Sequence, residues 1–228
     1  MLVELCNSLK DRNSLVPIGT VQPIPVSHDR YISLFPFEES ITEWVKKNGT
    51  ISGHIGKHFL IYLAIDIDNE DDLVASRESA IAVIKKLFND YKLSSDDLFI
   101  LFSGNKGFHI CISDKSIGSP APSVDISEKS KIFAFDITEG ISNVDTSIYE
   151  NHRLFRVENS LNEKSKLYKI QLSFEELEKF GIDDIKKKAS VPRIDFKRKK
   201  SYGDILPNEK LITIWQKVST NQNATHDI

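Results

Sequence analysis

Cysteine is scarce in this chain: Cys6 and Cys111 are the only two, and they form no CxxC pair. A disulfide framework and a cysteine-rich zinc centre are thereby excluded. No apolar run approaches the roughly 20 residues that a membrane-spanning helix needs. The opening stretch MLVELCNSLKDRNS meets Asp11 early and lacks the apolar core of a secretion signal. The sequence therefore predicts a soluble, cytoplasmic protein with no membrane partner. Excess positive charge is missing too. Thirty Lys and Arg stand against 33 Asp and Glu, a net charge of -3, so any nucleic-acid surface must be local rather than a uniform basic coat. There is no internal repeat and no GxxxxGK[ST] loop, so a nucleotide-driven motor would have to be another chain. What is present is an ordinary globular composition, 40% hydrophobic over 228 residues, enough for one domain or two small ones.

The periodicities suggest a mixed order of elements. Residues 15–28 hold three prolines within nine residues, which excludes a helix and predicts extended chain. EESITEWVKK (38–47) has helical spacing, with Ile41, Trp44 and Val45 on one side and Asn48-Gly49 to end it. FLIYLAIDID (59–68) is a near-continuous apolar run rich in β-branched and aromatic residues, predicting a buried strand. Residues 72–91 form an amphipathic helical pattern with Leu73, Ala80, Ile84, Leu87 and Phe88 inward. LFILF and FHICI flank the turn SGNKG as a hairpin. A further helix is predicted over 125–139 and strands over 153–157 and 167–172. Ser173 and Glu176 make a capping box, and NQNATHDI reads as a frayed tail. The mixture points to α/β or mixed α+β.

Three groups of residues can carry chemistry. Asp66 and Asp68 end the apolar strand two residues apart, hence on one face and about 7 Å apart. Two carboxylates leaving a buried strand together are costly unless a cation meets them, and Mg²⁺ takes one or two carboxylates plus substrate phosphates. The alternative is a strand that simply ends in solvent before Asn69, Glu70, Asp71 and Asp72. In the hairpin, alternation assigns Phe108, Ile110 and Ile112 to the core and His109, Cys111 and Ser113 to the opposite face. Gly104 and Gly107 allow positive φ and close approach of a ligand to the backbone, with Ser103, Lys106 and His109 near enough to complete an anion site. The plain alternative is a polar surface histidine after a turn. Third, VDTSIYENHRLFRVENSLNEKSK (144–166) carries Arg153 and Arg156 around Phe155, then Lys164 and Lys166. In a regular strand the two arginines would face opposite sides. The run can also be read as a solvated, charge-rich segment, although arginine suits bidentate phosphate contacts.

In order, an hhhDhD strand, SGxKGxH, and an hD followed by RxxRxxxS resemble the archaeo-eukaryotic primase superfamily, which includes primase-polymerases, over roughly residues 60–172. The likeness is to bacterial and mobile-element members. It implies an RRM-like β-sheet half joined to a smaller α/β half around an open cleft. It implies that Asp66, Asp68 and Asp145 hold two divalent ions, Mg²⁺ or Mn²⁺, with no zinc. It implies that Ser103, Lys106, Gly107 and His109 contact the phosphates of an NTP or dNTP, assisted by Arg153, Arg156, Ser160 and Lys164. Where relatives often read SLHxKTG, this chain reads SLNEKSK, so Asn162 supplies a neutral amide in place of an imidazole. The implied activity is that of a DNA primase or primase-polymerase acting on a DNA template and primer, beside a helicase or other replication or defence protein on a separate chain. The altered third motif leaves open a catalytically weak, nucleic-acid-binding subunit. A haloacid-dehalogenase-type phosphatase would want a Gly-Thr-like sequel to Asp68, and Asn69-Glu70 follows instead. The expected division is 1–58 as the N-terminal α/β portion, 59–190 as the catalytic core, and 191–228 as a basic segment and partly flexible tail. Within the last, Lys197, Arg198, Lys199 and Lys200 are a candidate DNA-backbone contact, or else a solvated linker.

Overall fold

The computed structural model describes residues 1–198 and 200–223, the side chains of 221–223 excepted. Lys199 and residues 224–228, with most of the expected frayed tail, lie outside it. The described residues build two antiparallel sheets and six helices, a mixed α+β arrangement.

The smaller sheet contains β1 (Leu2–Cys6), β2 (Leu15–Pro17), β3 (Tyr31–Ser33) and β8 (Leu154–Arg156), in the order β2-β1-β3-β8. The larger contains β4 (Tyr62–Asp68), β5 (Leu98–Phe102), β6 (Gly107–Ser113), β7 (Val144–Asp145) and β9 (Ile170–Leu172), in the order β7-β4-β6-β5-β9. The chain thus crosses from one sheet to the other and back between β7 and β9. Strand β8, expected in the catalytic core, completes the N-terminal sheet by pairing Phe155 with Ile32.

Helix α1 (Ser40–Asn48) ends at Gly49 in the left-handed conformation, as the Asn-Gly pair suggests. Beneath it Phe37, Ile41 and Ile51 form a small separate core. Helix α2 (Leu73–Tyr91) starts at Asp72, whose side chain accepts from the Ala75 amide, and packs across β4 and β6. Helix α3 (Ile126–Ile137) packs beside β4. The main core lies between these helices and the large sheet, where Leu63, Ile65, Ile67, Phe108, Ile110 and Ile112 are fully buried. Alternation then turns Asp66, Asp68 and His109 to the opposite face, toward the smaller sheet. Helices α4 (Phe174–Lys179), capped by the Ser173–Glu176 box, and α5 (Ile182–Lys188) follow β9.

The C-terminal segment carries a helix that the sequence reading did not name. Helix α6 (Glu209–Asn223) sits on α3 and buries Leu211, Trp215 and Val218 in the main core, so much of 191–228 is folded structure. The i, i+4, i+7 spacing of those three was the available signal, obscured by the polar residues around them. Leu211 is fully buried, so Leu211→Ala should cost about 2–5 kcal/mol through lost transfer energy and the cavity left behind. Urea unfolding checks this, and a loss well under 1 kcal/mol would mean the helix is dispensable to the core.

Candidate active site

Strand register assembles the site. Asp66 lies opposite His109 on β6 and opposite Asp145 on β7, so the three form one cross-strand row. Asp68, one pleat further on, lies opposite Gly107. A cavity of about 160 Å³ opens over Asp66, Asp68 and His109, lined also by Ser103, Lys106, Arg153, Arg156 and Asn162 among others, with Asp145 outside its lining. Residues from all three sequence groups therefore meet in one cleft. Arg153 precedes β8 instead of lying within it, which lets both arginines reach the same cavity despite their three-residue spacing.

The electrostatics are those of crowded acids. Asp66 is buried, and its Oδ1 lies 3.3 Å from His109 Nε2. The pair is close but poorly aligned, leaving Oδ1 without a hydrogen-bond partner among the described residues. Burial alone would raise the Asp66 pKa, but His109, Lys169 and Arg153 outweigh it and hold the carboxyl below its usual range. Asp68 goes the other way. Burial first, then the Asp66 charge, push it up to about 6, against the pull of Lys106. Burial and the Lys169 charge keep His109 below its ordinary pKa despite Asp66, so the imidazole is neutral near pH 7. Lys106 Nζ stands 3.3 Å from Asp68 and 3.0 Å from Glu70, the only cation bridging these acids among the described residues. Asp145 accepts from the Ser147 amide (2.8 Å) and hydroxyl (3.0 Å), which orients its carboxylate. Among the described residues no three acid, histidine or cysteine side chains close around a single point. The acids instead present an open row. A buried, unpartnered carboxylate oxygen beside a second acid of raised pKa suits a hard divalent cation, which completes its shell with water or phosphate.

The two glycines also make room for this chain's own atoms, and only Gly104 takes the positive φ expected of both. Gly104 does take positive φ (81°), but a Cβ there would lie 3.0 Å from the backbone of residues 167–169. A Cβ on Gly107 would lie 2.0 Å from the Ile67 carbonyl oxygen and 2.1 Å from Asp68 Oδ1. Both vacated spaces are filled by this chain itself: one seats the turn on the strand segment before β9, the other makes room for the Asp68 carboxylate. Ser103 Oγ likewise accepts from the Asn105 and Gly107 amides (3.3 and 3.2 Å), so two turn amides are engaged internally.

The other candidates divide. Arg156 is tied to Asp29, to the Tyr31 hydroxyl (3.0 Å) and over the Tyr31 ring. Ser160 is fully buried and donates to the Val157 carbonyl (2.6 Å), outside the cavity lining. Asn162 reaches the cavity, but its Oδ1 accepts from the Lys164 and Ser165 amides (2.9 and 3.0 Å), capping the turn that follows. The Lys164 side chain is exposed. In the basic run, Arg198 lies over the Phe99 ring and donates to the Asp96 and Leu98 carbonyls. Lys200 pairs with Asp97 at 2.7 Å, and Lys197 is exposed. Two further residues position the site, Asn143 without any sequence signal and Phe155 noted only as the aromatic between the two arginines. Asn143, at φ 63°, accepts the Asp68 amide through its carbonyl (3.0 Å) and so fixes β7 against β4. Phe155 stacks its ring 4.3 Å from that of His109.

No family model matches the sequence, and no curated protein matches it. Among solved structures, the polymerase domain of ligase D from Mycobacterium tuberculosis, in complex with DNA, aligns with 83% of this chain at 12% identity and a TM-score of 0.41. The alignment spans 60% of that chain's length. A likeness this distant assigns neither fold family nor activity.

The raised Asp68 pKa has a sign that can be checked. Between the ordinary value of 3.8 and about 6 the folded state holds a proton that the unfolded chain releases, so this group's contribution to stability falls as pH rises through that window. Above it, the ionised carboxylate destabilises the metal-free fold. Asp68→Asn should therefore be more stable than the parent at pH 7.5 by on the order of 1–3 kcal/mol, the gap closing toward pH 4. Urea unfolding in chelator at several pH values measures it. A variant no more stable at pH 7.5 would show that Asp68 is not strained.

Proposed function

We propose that this chain is a nucleotidyltransferase of the archaeo-eukaryotic primase kind, joining an NTP or dNTP to a DNA primer under template direction. The observation that carries the reading is Asp66, Asp68 and His109 facing Lys106 and Arg153 across one cavity, with Asp145 paired to Asp66 in the strand register just outside the cavity lining. Asp66, Asp68 and Asp145 would hold Mg²⁺ or Mn²⁺. The donor set fits, because Asp66 Oδ1 is buried without a hydrogen-bond partner and Asp68, pushed up to about 6 by burial and the Asp66 charge, is short of countercharge once ionised. Divalent ions bound there would supply charge neutralisation of the triphosphate and activation of an attacking hydroxyl.

The remaining work falls to the chain. Neutral His109 donates through one ring nitrogen to a phosphate oxygen without bringing a second charge next to Lys169. Lys106, paired with Asp68 and Glu70 and lining the cavity, would serve as the cation that meets a phosphate there. Arg153 supplies a planar guanidinium for bidentate phosphate contact. Such a site stabilises charge by preorganised groups and needs no general base from the protein. Arg156 and Ser160 act behind this layer, one holding the 23–31 segment and the other the turn after β8. The DNA template and a helicase or defence partner belong to the same reading. A nucleic-acid-binding subunit of weak activity is the second reading, favoured by Asn162, whose oxygen caps a turn and whose amide carries no charge.

Primer extension with Mg²⁺ or Mn²⁺ decides between them. Asp66→Asn and Asp145→Asn should each reduce incorporation at least about a hundredfold while leaving the fold intact, a loss on the scale of removing one preorganised electrostatic group. Variants that extend primers at the parent's rate would remove the catalytic assignment. A parent that binds DNA but extends no primer would favour the second reading.

The basic run is now separable. Lys197→Gln should weaken DNA binding and flatten the log–log salt dependence by about 0.9, one phosphate contact. Arg198→Gln and Lys200→Gln should lower stability instead, because their partners lie within this fold. Fluorescence anisotropy at several salt concentrations, with urea unfolding alongside, distinguishes the two. Unchanged affinity and slope for Lys197→Gln would leave that residue merely solvated.

A further inference from the structure

Lys169 is 2% exposed, just before β9, yet among the described residues its ammonium forms no ion pair. It donates to the Arg156 carbonyl at 2.8 Å and lies 3.9 Å from the centroid of the Phe155 ring. The Phe155 ring in turn lies 4.3 Å from His109, tilted by 34°. Lysine, phenylalanine and histidine thus stack in sequence behind Asp66, and both lysine contacts fall on β8.

Burying an ammonium with no carboxylate in contact is costly, and desolvation lowers its pKa to about 8 despite the more distant charges of Asp66 and Glu158. A methionine of similar length would fill the space more cheaply. Packing alone does not hold Phe155 either. A cavity of about 230 Å³ lies beside it, lined by Tyr62, Phe99, Leu101, Cys111 and Lys169, so the ring has room to withdraw from His109. The ammonium draws the ring by cation–π attraction, strongest where water is excluded. Its hydrogen bond to Arg156 fixes the strand that carries the ring. Strand β8 belongs to the smaller sheet, and Lys169 adjoins the edge strand of the larger one. The contact therefore also sets how the Arg153–Arg156 segment meets the acidic row.

We propose that Lys169 is a positioning residue: it clamps Phe155 against His109 and so fixes the imidazole beside Asp66. The consequence for turnover rests on the nucleotidyl-transfer reading, whereas the consequence for His109 does not.

The test compares Lys169→Met, which keeps length and removes charge, with Lys169→Arg, which keeps the charge. In metal-free, nucleotide-free protein at one fixed pH, the His109 ring signals are followed by NMR for the ring-current shift from Phe155. Lys169→Met should fold and lose most of that shift, and Lys169→Arg should retain it. In primer extension, Lys169→Met should lower kcat about tenfold with less than a threefold change in nucleotide KM, since small displacements of a catalytic group affect turnover more than binding. Lys169→Arg should recover most of the rate. A Met variant with unchanged His109 signals would overturn the proposal, as would an Arg variant no better than Met. Should Lys169→Met not fold, Lys169→Gln, which retains a donor for the Arg156 carbonyl, is read in the same way. If no variant or parent extends primers, nucleotidyl transfer fails as a reading, and the NMR comparison still decides the positioning role.

Discussion

Two carboxylates on one face of a buried strand are the constraint around which this molecule is arranged. Asp66 and Asp68 leave β4 into a cleft walled by protein, where ionised acids repel each other and lack water. The neighbouring features answer that cost. His109 sits across from Asp66, Lys106 reaches over Asp68, and the side chain missing at Gly107 leaves room for the Asp68 carboxylate. Lys169 and Arg153 lower the Asp66 pKa from further away. The balance is incomplete, since Asp68 keeps a pKa near 6 and Asp66 keeps an oxygen without a partner. That residual strain is what a bound cation would relieve, and it is the basis of the metal-binding proposal.

Much of this was legible in the sequence where one periodicity dominated. The apolar run through Ile67 read as a buried strand, and the 72–91 helix showed its inner face, although its Asp72 cap went unnoticed. The hairpin followed from two β-rich runs around SGNKG, and strand alternation alone put His109 opposite the core residues. The order of the acidic, hairpin and arginine motifs brought Asp66, His109 and Arg153 into one hypothesis; the register of β4 and β6 sets Asp66 opposite His109, and the approach to β8 in the other sheet brings Arg153 to the same cavity.

The remainder depends on contacts between distant segments. Nothing near residue 154 says that β8 pairs with β3, because that pairing is set by the two sheets meeting. The glycines illustrate the same limit. Their sequence setting suggested access for a ligand, while the space belongs to residues 67–68 and 167–169. Arg156, Ser160 and Asn162 have the residue types of a phosphate site, yet each has at least one polar atom engaged by its own chain. Lys169 was invisible for a related reason: a lysine between Tyr168 and Ile170 reads as a surface residue until the fold closes over it.

The central claim is that the acidic row binds divalent metal. Mn²⁺ titration of the full chain, followed by water-proton relaxation, measures this without reference to catalysis. The expected result is saturable binding to the parent, weakened at least about tenfold in Asp66→Asn and in Asp145→Asn, and competed by Mg²⁺, in keeping with the preference of these ions for carboxylate oxygens. Equal Mn²⁺ affinity in parent and variants would contradict it and leave the row as a strained pair of acids with no cation to hold.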